Sequence, residues 1–561
     1  MGDNMLALSL FLATISVDLP PNAAVSAKGM VASVHPLATD AGVAALRRGG
    51  NAIDAAIAVG LTLGVVDAHN SGLGGGCFIL IRRADGKLFA IDGRETAPAK
   101  ASRDMFLKDG KPDTNLSQMG PLAVATPGAL AAYELAVKSH GKLPLAELVL
   151  PAAKIADDGF RLDSNNASAL ARNAAVLRQH SGPKLDILNA NGKPYVAGEL
   201  LRQPDLAKTY RSIAERGADW FYRGAFAQSV GDWMAKNGGV LSAADFAAYR
   251  PIEREPMVTI YRGRTVVGFP PPSSGGIHVA QILNILEGHD LAALHAKDAG
   301  EYQHVLAEAM KLAFADRAYW LGDADFVRVP QGLIDKEYAR TLAAKINPGK
   351  ATPLAGHGTP PAADERVFLK HTTHIAAADA EGNWVAMTQT INTGYGSLVI
   401  VPGTGLVLNN EMDDFSIAPG KPNAFGLVGA EANAVAPGKR PLSSMSPTIV
   451  LENGQPVLSV GAAGGPTIIT QVVQALVRTI DLNQPLPDAL AQPRIHHQWS
   501  PDEVRHETKL AAELQKSLAD RGHQLKSTRS MGVSQAIGFD KASGQFMGVH
   551  DPRVPGKSAG P

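Results

Sequence analysis

The sequence predicts a layered α/β sandwich in which two antiparallel sheets are stacked and covered by helices. Three observations carry that expectation. Tight hairpins occur both early and late in the chain, apolar helical stretches lie beside them, and turns this short force the strands they join to be antiparallel. A chain of 561 residues, 45% of them hydrophobic, can bury a large core. Lys+Arg and Asp+Glu number 53 each, so a formal net charge of +0 supplies no general attraction to nucleic-acid phosphates or to an anionic membrane, and neither partner is expected. The single cysteine, Cys77, excludes an intrachain disulfide and every multi-cysteine metal site.

At the N-terminus, an apolar run over 6–15 followed by Val25-Ser26-Ala27 reads as a signal-peptide core and a small-residue cleavage site. The run falls short of the roughly 20 residues that cross a bilayer. Residues 1–27 are therefore expected to be a leader and the protein periplasmic or secreted, although Asp3 and the lack of Lys or Arg before the run leave a cytoplasmic protein as the alternative. Residues 30–34 read as a buried strand, and 40–48 and 52–66 as helices separated by Gly49-Gly50. A first hairpin spans 78–82 and 88–92 around Asp85-Gly86. From about 130 to 345 the pattern reads as mostly helical, most clearly over 302–318. The Pro/Gly-rich stretch 347–364 reads as an exposed linker. Beyond it come hairpins over 372–378 and 384–389, over 448–451 and 457–460 around Asn453-Gly454, and over 536–539 and 546–550, with an apolar helix at 467–480.

Several chemistries drop out by spacing. Gly556-Lys557-Ser558 imitates the end of a phosphate-binding loop, but Asp551 stands where the leading glycine belongs, and the glycines of 72–76 lack the dinucleotide-binding spacing. His496-His497 are adjacent, which suits opposite faces of a strand better than one metal. No metal or cofactor is expected. The informative segment is His371-Thr372-Thr373-His374, at the junction of linker and hairpin. A threonine hydroxyl needs a base, and a threonine freed at a chain terminus carries its own: an α-amine with a pKa near 7.7–8.0. Two threonines opening a strand are also ordinary β-formers. Downstream, 390–394, 409–415, 441–447 and 461–465 cluster the amides, carboxylates and hydroxyls that an amide-cleaving, amino-acid-recognising site would use.

Those segments resemble the γ-glutamyltranspeptidase (glutathione hydrolase) family. The resemblance runs from Gly29-Met30-Val31-Ala32-Ser33 through Leu73-Gly74-Gly75-Gly76, Asp92-Gly93-Arg94-Glu95 and Pro270-Pro271-Pro272-Ser273-Ser274-Gly275-Gly276 to His550-Asp551-Pro552-Arg553. It implies a four-layer αββα sandwich of the N-terminal-nucleophile hydrolase type. It also implies a precursor that cuts itself between His371 and Thr372 into a large subunit, 28–371, and a small catalytic subunit, 372–561, which remain together as a heterodimer. Thr372 is then the nucleophile, Thr390 orients it, and the N–H groups of Gly464 and Gly465 receive the oxyanion. Arg94 with Ser443 and Ser444 is implied to meet the α-carboxylate of the γ-glutamyl group, and Asp414, Glu411 and Asn392 its α-ammonium.

The implied donors are glutathione-like, and the acceptors are water, amino acids or peptides. Phe425 departs from the family, standing where bacterial members commonly have a Tyr that helps latch a lid. Cys77 replaces a frequent Gly and is expected to pack in a buried turn. Two other readings remain: a glutaryl or cephalosporin acylase of the same fold, and a homologue that binds without maturing.

Overall fold

The computed structural model describes residues 19–361, 374–418 and 420–561, so His371 and Thr372 lie outside the described residues. Two seven-stranded antiparallel sheets form the centre. Their strands, in chain order, are β1 (Ala23–Ser26), β2 (Gly29–Ser33), β3 (Gly76–Arg82), β4 (Leu88–Gly93), β5 (Ile252–Arg254), β6 (Met257–Tyr261), β7 (Arg264–Gly268), β8 (Ile375–Asp379), β9 (Trp384–Thr390), β10 (Thr448–Glu452), β11 (Gln455–Ala463), β12 (Val533–Asp540), β13 (Gln545–His550) and β14 (Lys557–Ala559). One sheet runs β1-β13-β12-β11-β10-β7-β6 and the other β14-β2-β8-β9-β3-β4-β5. Each therefore mixes strands from both sides of the expected cut.

Alternation along β3 shows how the layers close. Phe78 and Leu80 join a core between the sheets with Val267, Ile449 and Trp384, while Cys77, Ile79 and Ile81 join the core beneath the helices. On that outer face lie α1 (Pro36–Arg47), α2 (Ala52–Val66) and α3 (Ala129–His140). Every residue of α2 is buried, and its start is fixed by an Asn51/Asp54 capping box. The other sheet is covered by α4 (Ser274–Leu286) and α6 (Thr467–Ile480), with α5 (Ala299–Trp320) behind α4. The result is the expected αββα order.

The structure corrects four sequence expectations. The stretch taken as mostly helical contains β5, β6 and β7. Its hairpin turns at Arg262-Gly263, both with positive φ, and the β-branched run Val258-Thr259-Ile260, with burial alternating over Met257–Tyr261, outweighs the helical surroundings. Cys77 lies within β3, not in a turn, and burial raises its thiol pKa well above the ordinary value. The described part of the supposed linker, 347–361, is irregular but tied down: Thr352 N–H donates to Glu308 (3.0 Å), Lys311 to Thr352 O (2.9 Å), Gly358 N–H to Asp316 (2.6 Å) and Trp499 to Leu354 O (3.0 Å). Finally, α1 begins at Pro36, because His35 caps it and proline is pre-set for a first helical turn. The Val25-Ser26 end of the supposed cleavage motif belongs to β1, which pairs with β13.

Candidate active site

Arg94 follows β4, and its backbone is fixed before its side chain is considered. Its N–H donates to Asp92 (2.9 Å), and its carbonyl accepts from Tyr249 (2.6 Å) and Arg440 (3.0 Å). The guanidinium is fully buried among three carboxylates: Glu411 at 2.5 Å, Asp414 at 2.7 Å and Glu95 at 3.3 Å. Burial alone would lower its pKa, but Glu411, Glu95 and Asp414 outweigh that and hold it above its ordinary value.

Glu411 and Asp414 come from one 3-10 turn, Glu411–Asp414. Asn409 holds its start, accepting from Glu411 N–H and Ala125 N–H (3.0 Å each) and donating to Gly74 O (2.8 Å). Asp413 points elsewhere, accepting from Ser117 (2.5 Å) and from Ala424 N–H (2.9 Å), and burial raises its pKa to about 6. The adjacent acids thus divide their work: Asp414 faces Arg94, and Asp413 fastens the loop that carries Phe425.

Thr390 ends β9, and its hydroxyl accepts from Asn392 N–H (2.7 Å). Asn392 has φ +75 and donates to Asn410 O (3.0 Å), so the chain leaves β9 through a tight polar corner. Gly75 underlies that corner: a Cβ there would come within 1.8 Å of Thr390 O. Gly464 and Gly465 make the turn from β11 into α6 with φ +136 and +60, and a Cβ on Gly465 would meet the Phe425 ring at 2.6 Å. Ser443 lies against α4, where Ser274 N–H donates to its carbonyl (3.1 Å).

These pieces meet at one cavity of about 480 Å³, lined by Thr390, Asn392, Asp414, Ser443, Ser444, Gly464, Gly465 and Phe425. Arg94 and Glu411 stand behind Asp414, and β8 begins at the end of the sheet where β9 finishes with Thr390. Sequence reasoning missed the far wall, where Asp67, His69 and Asn70 line the same space; Asn70 O accepts from Ile391 N–H (3.3 Å). Burial raises the Asp67 pKa to about 6. Also missed were Glu95, legible only as the neighbour of Arg94 in its motif, and Arg317, a charge inside what reads as an ordinary helix.

Residues 38–560 match the γ-glutamyltranspeptidase family model. The chain belongs to the γ-glutamyltranspeptidase family. It is 46% identical over 529 residues to the glutathione hydrolase proenzyme of Escherichia coli (strain K12), covering 94% of this chain and 90% of that one. It is 40% identical over 524 residues to the acylase ACY 1 proenzyme of Pseudomonas sp. (strain SE83), covering 91% and 90%. Among solved structures, the cephalosporin acylase from Bacillus halodurans superposes with a TM-score of 0.85 at 30% identity over 99% of both chains. The fold is that of the N-terminal-nucleophile hydrolases, and this member of the γ-glutamyltranspeptidase family is an enzyme.

Proposed function

We propose that the chain is a γ-glutamyltransferase and glutathione hydrolase that cuts itself between His371 and Thr372 and carries the γ-glutamyl group as an ester on Thr372. The observation that carries this reading is the convergence on one cavity of an acidic wall backed by Arg94, the Ser443-Ser444 hydroxyls, the Gly464-Gly465 turn and Thr390. Thr372 stands three residues ahead of β8 in sequence, and β8 begins at the end of the sheet where β9 finishes with Thr390.

In the first step the Thr372 hydroxyl attacks the γ-carbonyl carbon and its proton passes to the α-amine freed by the cut. The oxyanion forms against the N–H groups of Gly464 and Gly465, each worth about 3 kcal/mol of barrier in such sites. As the tetrahedral species collapses, the leaving amine takes the proton and the ester remains. Water then gives glutamate, or the amine of an amino acid or peptide gives a new γ-glutamyl amide. Asp414, Glu411 and Asn392 receive the α-ammonium, while Ser443, Ser444 and Arg94 serve the α-carboxylate.

The acylase relatives favour a second reading, cleavage of glutaryl amides. Glutaryl lacks the α-ammonium, so it leaves the acidic wall without its complement, a costly arrangement for buried charge. Turnover of glutathione well above that of a glutaryl amide is expected, and the opposite ratio favours the acylase. On a denaturing gel the purified protein should run as two fragments, and Thr372→Ala as one inactive chain. Cutting at that bond in Thr372→Ala would remove Thr372 from the chemistry. Export belongs to the same reading, and N-terminal sequencing of the large fragment tests it: loss of the 6–15 run supports export, and an intact Met1 opposes it.

A further inference from the structure

Two buried arginines lie near Asp414, and their surroundings differ. Arg94 has three carboxylates at ion-pair distance. Arg317, on α5, is 4% exposed and has none at that distance among the described residues. Its hydrogen bonds go to two hydroxyls: Nε donates to Ser274 Oγ (2.9 Å) and an Nη donates to Ser444 Oγ (3.1 Å). Ser274 in turn donates to the Ser443 carbonyl (2.5 Å). One guanidinium therefore governs both serines, Ser444 through its hydroxyl and Ser443 through its peptide.

A hydroxyl that accepts from a guanidinium must send its own proton elsewhere, and Ser444 lines the cavity. Its donation toward the cavity is strengthened by the charge behind it. Burial lowers the Arg317 pKa, partly offset by Asp414, to about 10, which leaves the side chain charged at neutral pH. The cavity thus has an acid-rich wall at Asp414 and a cation reaching it through Ser444. An α-amino-acid head group, one ammonium and one carboxylate on the same carbon, is complementary to that pair.

We propose that Arg317 is the positioning residue for the α-carboxylate of the γ-glutamyl donor, acting through the Ser444 hydroxyl and, by way of Ser274, on the Ser443 peptide. This rests on the γ-glutamyl reading above and adds to it a second cation, besides Arg94, that serves the carboxylate through the two serines. Two variants of the full chain test it, Arg317→Gln and Arg317→Lys, with processing into two fragments checked first on a gel.

With a γ-glutamyl anilide as donor, Arg317→Gln should raise KM about 10- to 100-fold with a much smaller change in kcat, the size expected for losing a charge-assisted hydrogen bond. Arg317→Lys should recover part of that loss. The inhibition constant of free glutamate should rise in parallel, and that of 4-aminobutanoate, which lacks the α-carboxylate, should not. A loss confined to kcat, or equal weakening of both inhibitors, overturns the proposal. If neither variant matures, Ser274→Ala, which leaves the guanidinium in place, should still raise KM several-fold, and an unchanged KM refutes the role. Failure of the wild-type protein to turn over any γ-glutamyl donor would instead overturn the functional reading itself.

Discussion

Two buried charge networks in this molecule invite comparison. Around Arg494 the signs balance: Arg494 meets Asp551 at 2.5 Å, Arg553 meets Asp551 at 3.1 Å and Glu507 at 2.5 Å, and Asp551 also accepts from Ser534 N–H (2.8 Å). Among the groups at ion-pair distance two cations face two anions, with Arg478 nearby donating to the Ala489 and Pro493 carbonyls, and the network joins the β12 start, the β13 end and the residue 494–507 region. Around Arg94, among the described residues, one cation has three carboxylates at ion-pair distance, and one wall of the network is a cavity. A balanced network completes itself and holds elements together. An acid-rich one beside a cavity is complementary to a cationic group, and in the proposed reading that group is the donor's α-ammonium.

That contrast can be broken most directly at Asp551. Asp551→Asn leaves Arg494 buried beside Arg553, and the expected cost is about 3 kcal/mol of stability. Thermal unfolding measures it, and the KM of the folded protein for a γ-glutamyl anilide should barely move. A variant as stable as wild type would show that charge balance there is not what holds these elements together.

Asp414→Asn should do the reverse. Removing one of the three carboxylates at ion-pair distance from Arg94 should leave the melting temperature unchanged or raise it, while donor KM rises about 10- to 100-fold as a buried charged contact to the ammonium is lost. A melting temperature that falls as far as in Asp551→Asn would erase the distinction between the two networks.

How much of this was legible in the sequence depends on range. The hairpins at Asp85-Gly86, Glu381-Gly382-Asn383 and Asn453-Gly454, and the helix Thr467–Ile480, follow from local turn chemistry and periodicity, and the structure has all of them. Both sheets were legible as antiparallel for the same reason. Their strand order was not, because β2 pairs with β8 and β7 with β10 across long stretches of chain, and no local signal encodes such partners.

The site shows the same division. Arg94, Asp414, Ser443, Ser444 and the Gly464-Gly465 turn were found as motifs. That Arg94 would be buried against both Glu411 and Asp414, behind the cavity wall, depends on where β4 ends relative to the 3-10 turn. Arg317 was invisible because α5 is buried on nearly all sides, so a charge that periodicity places on a helix surface is turned inward to two serines.

The smallest expected effect separates these networks from a third kind of buried polar group. His278, His374, His496 and His523 are each held down to about 3 by burial, and so remain neutral in the fold. His523 faces His304 at 2.8 Å, with His497, Lys311 and Asp502 also around it. Unfolded, each would take a proton near pH 6.5. Between about 3 and 6.5 the unfolded chain therefore binds protons that the folded one refuses. Their contribution to stability is complete above 6.5 and is lost as pH falls, by up to about 1.4 kcal/mol per histidine per pH unit. Asp551, whose pKa Arg494 and Arg553 hold below the ordinary value despite burial, adds loss in the same direction at more acidic pH. Melting temperature should thus drop from pH 7 to pH 5, and His523→Gln should flatten that slope by one histidine's share, a small part of the whole because His35, His304 and His497 among others are lowered by burial too, while Asp67 and Asp413, raised to about 6, act in the opposite direction. Equal slopes in wild type and variant would mean that His523 takes up its proton without unfolding, with the nearby Glu308 and Asp502 carboxylates accommodating the charge.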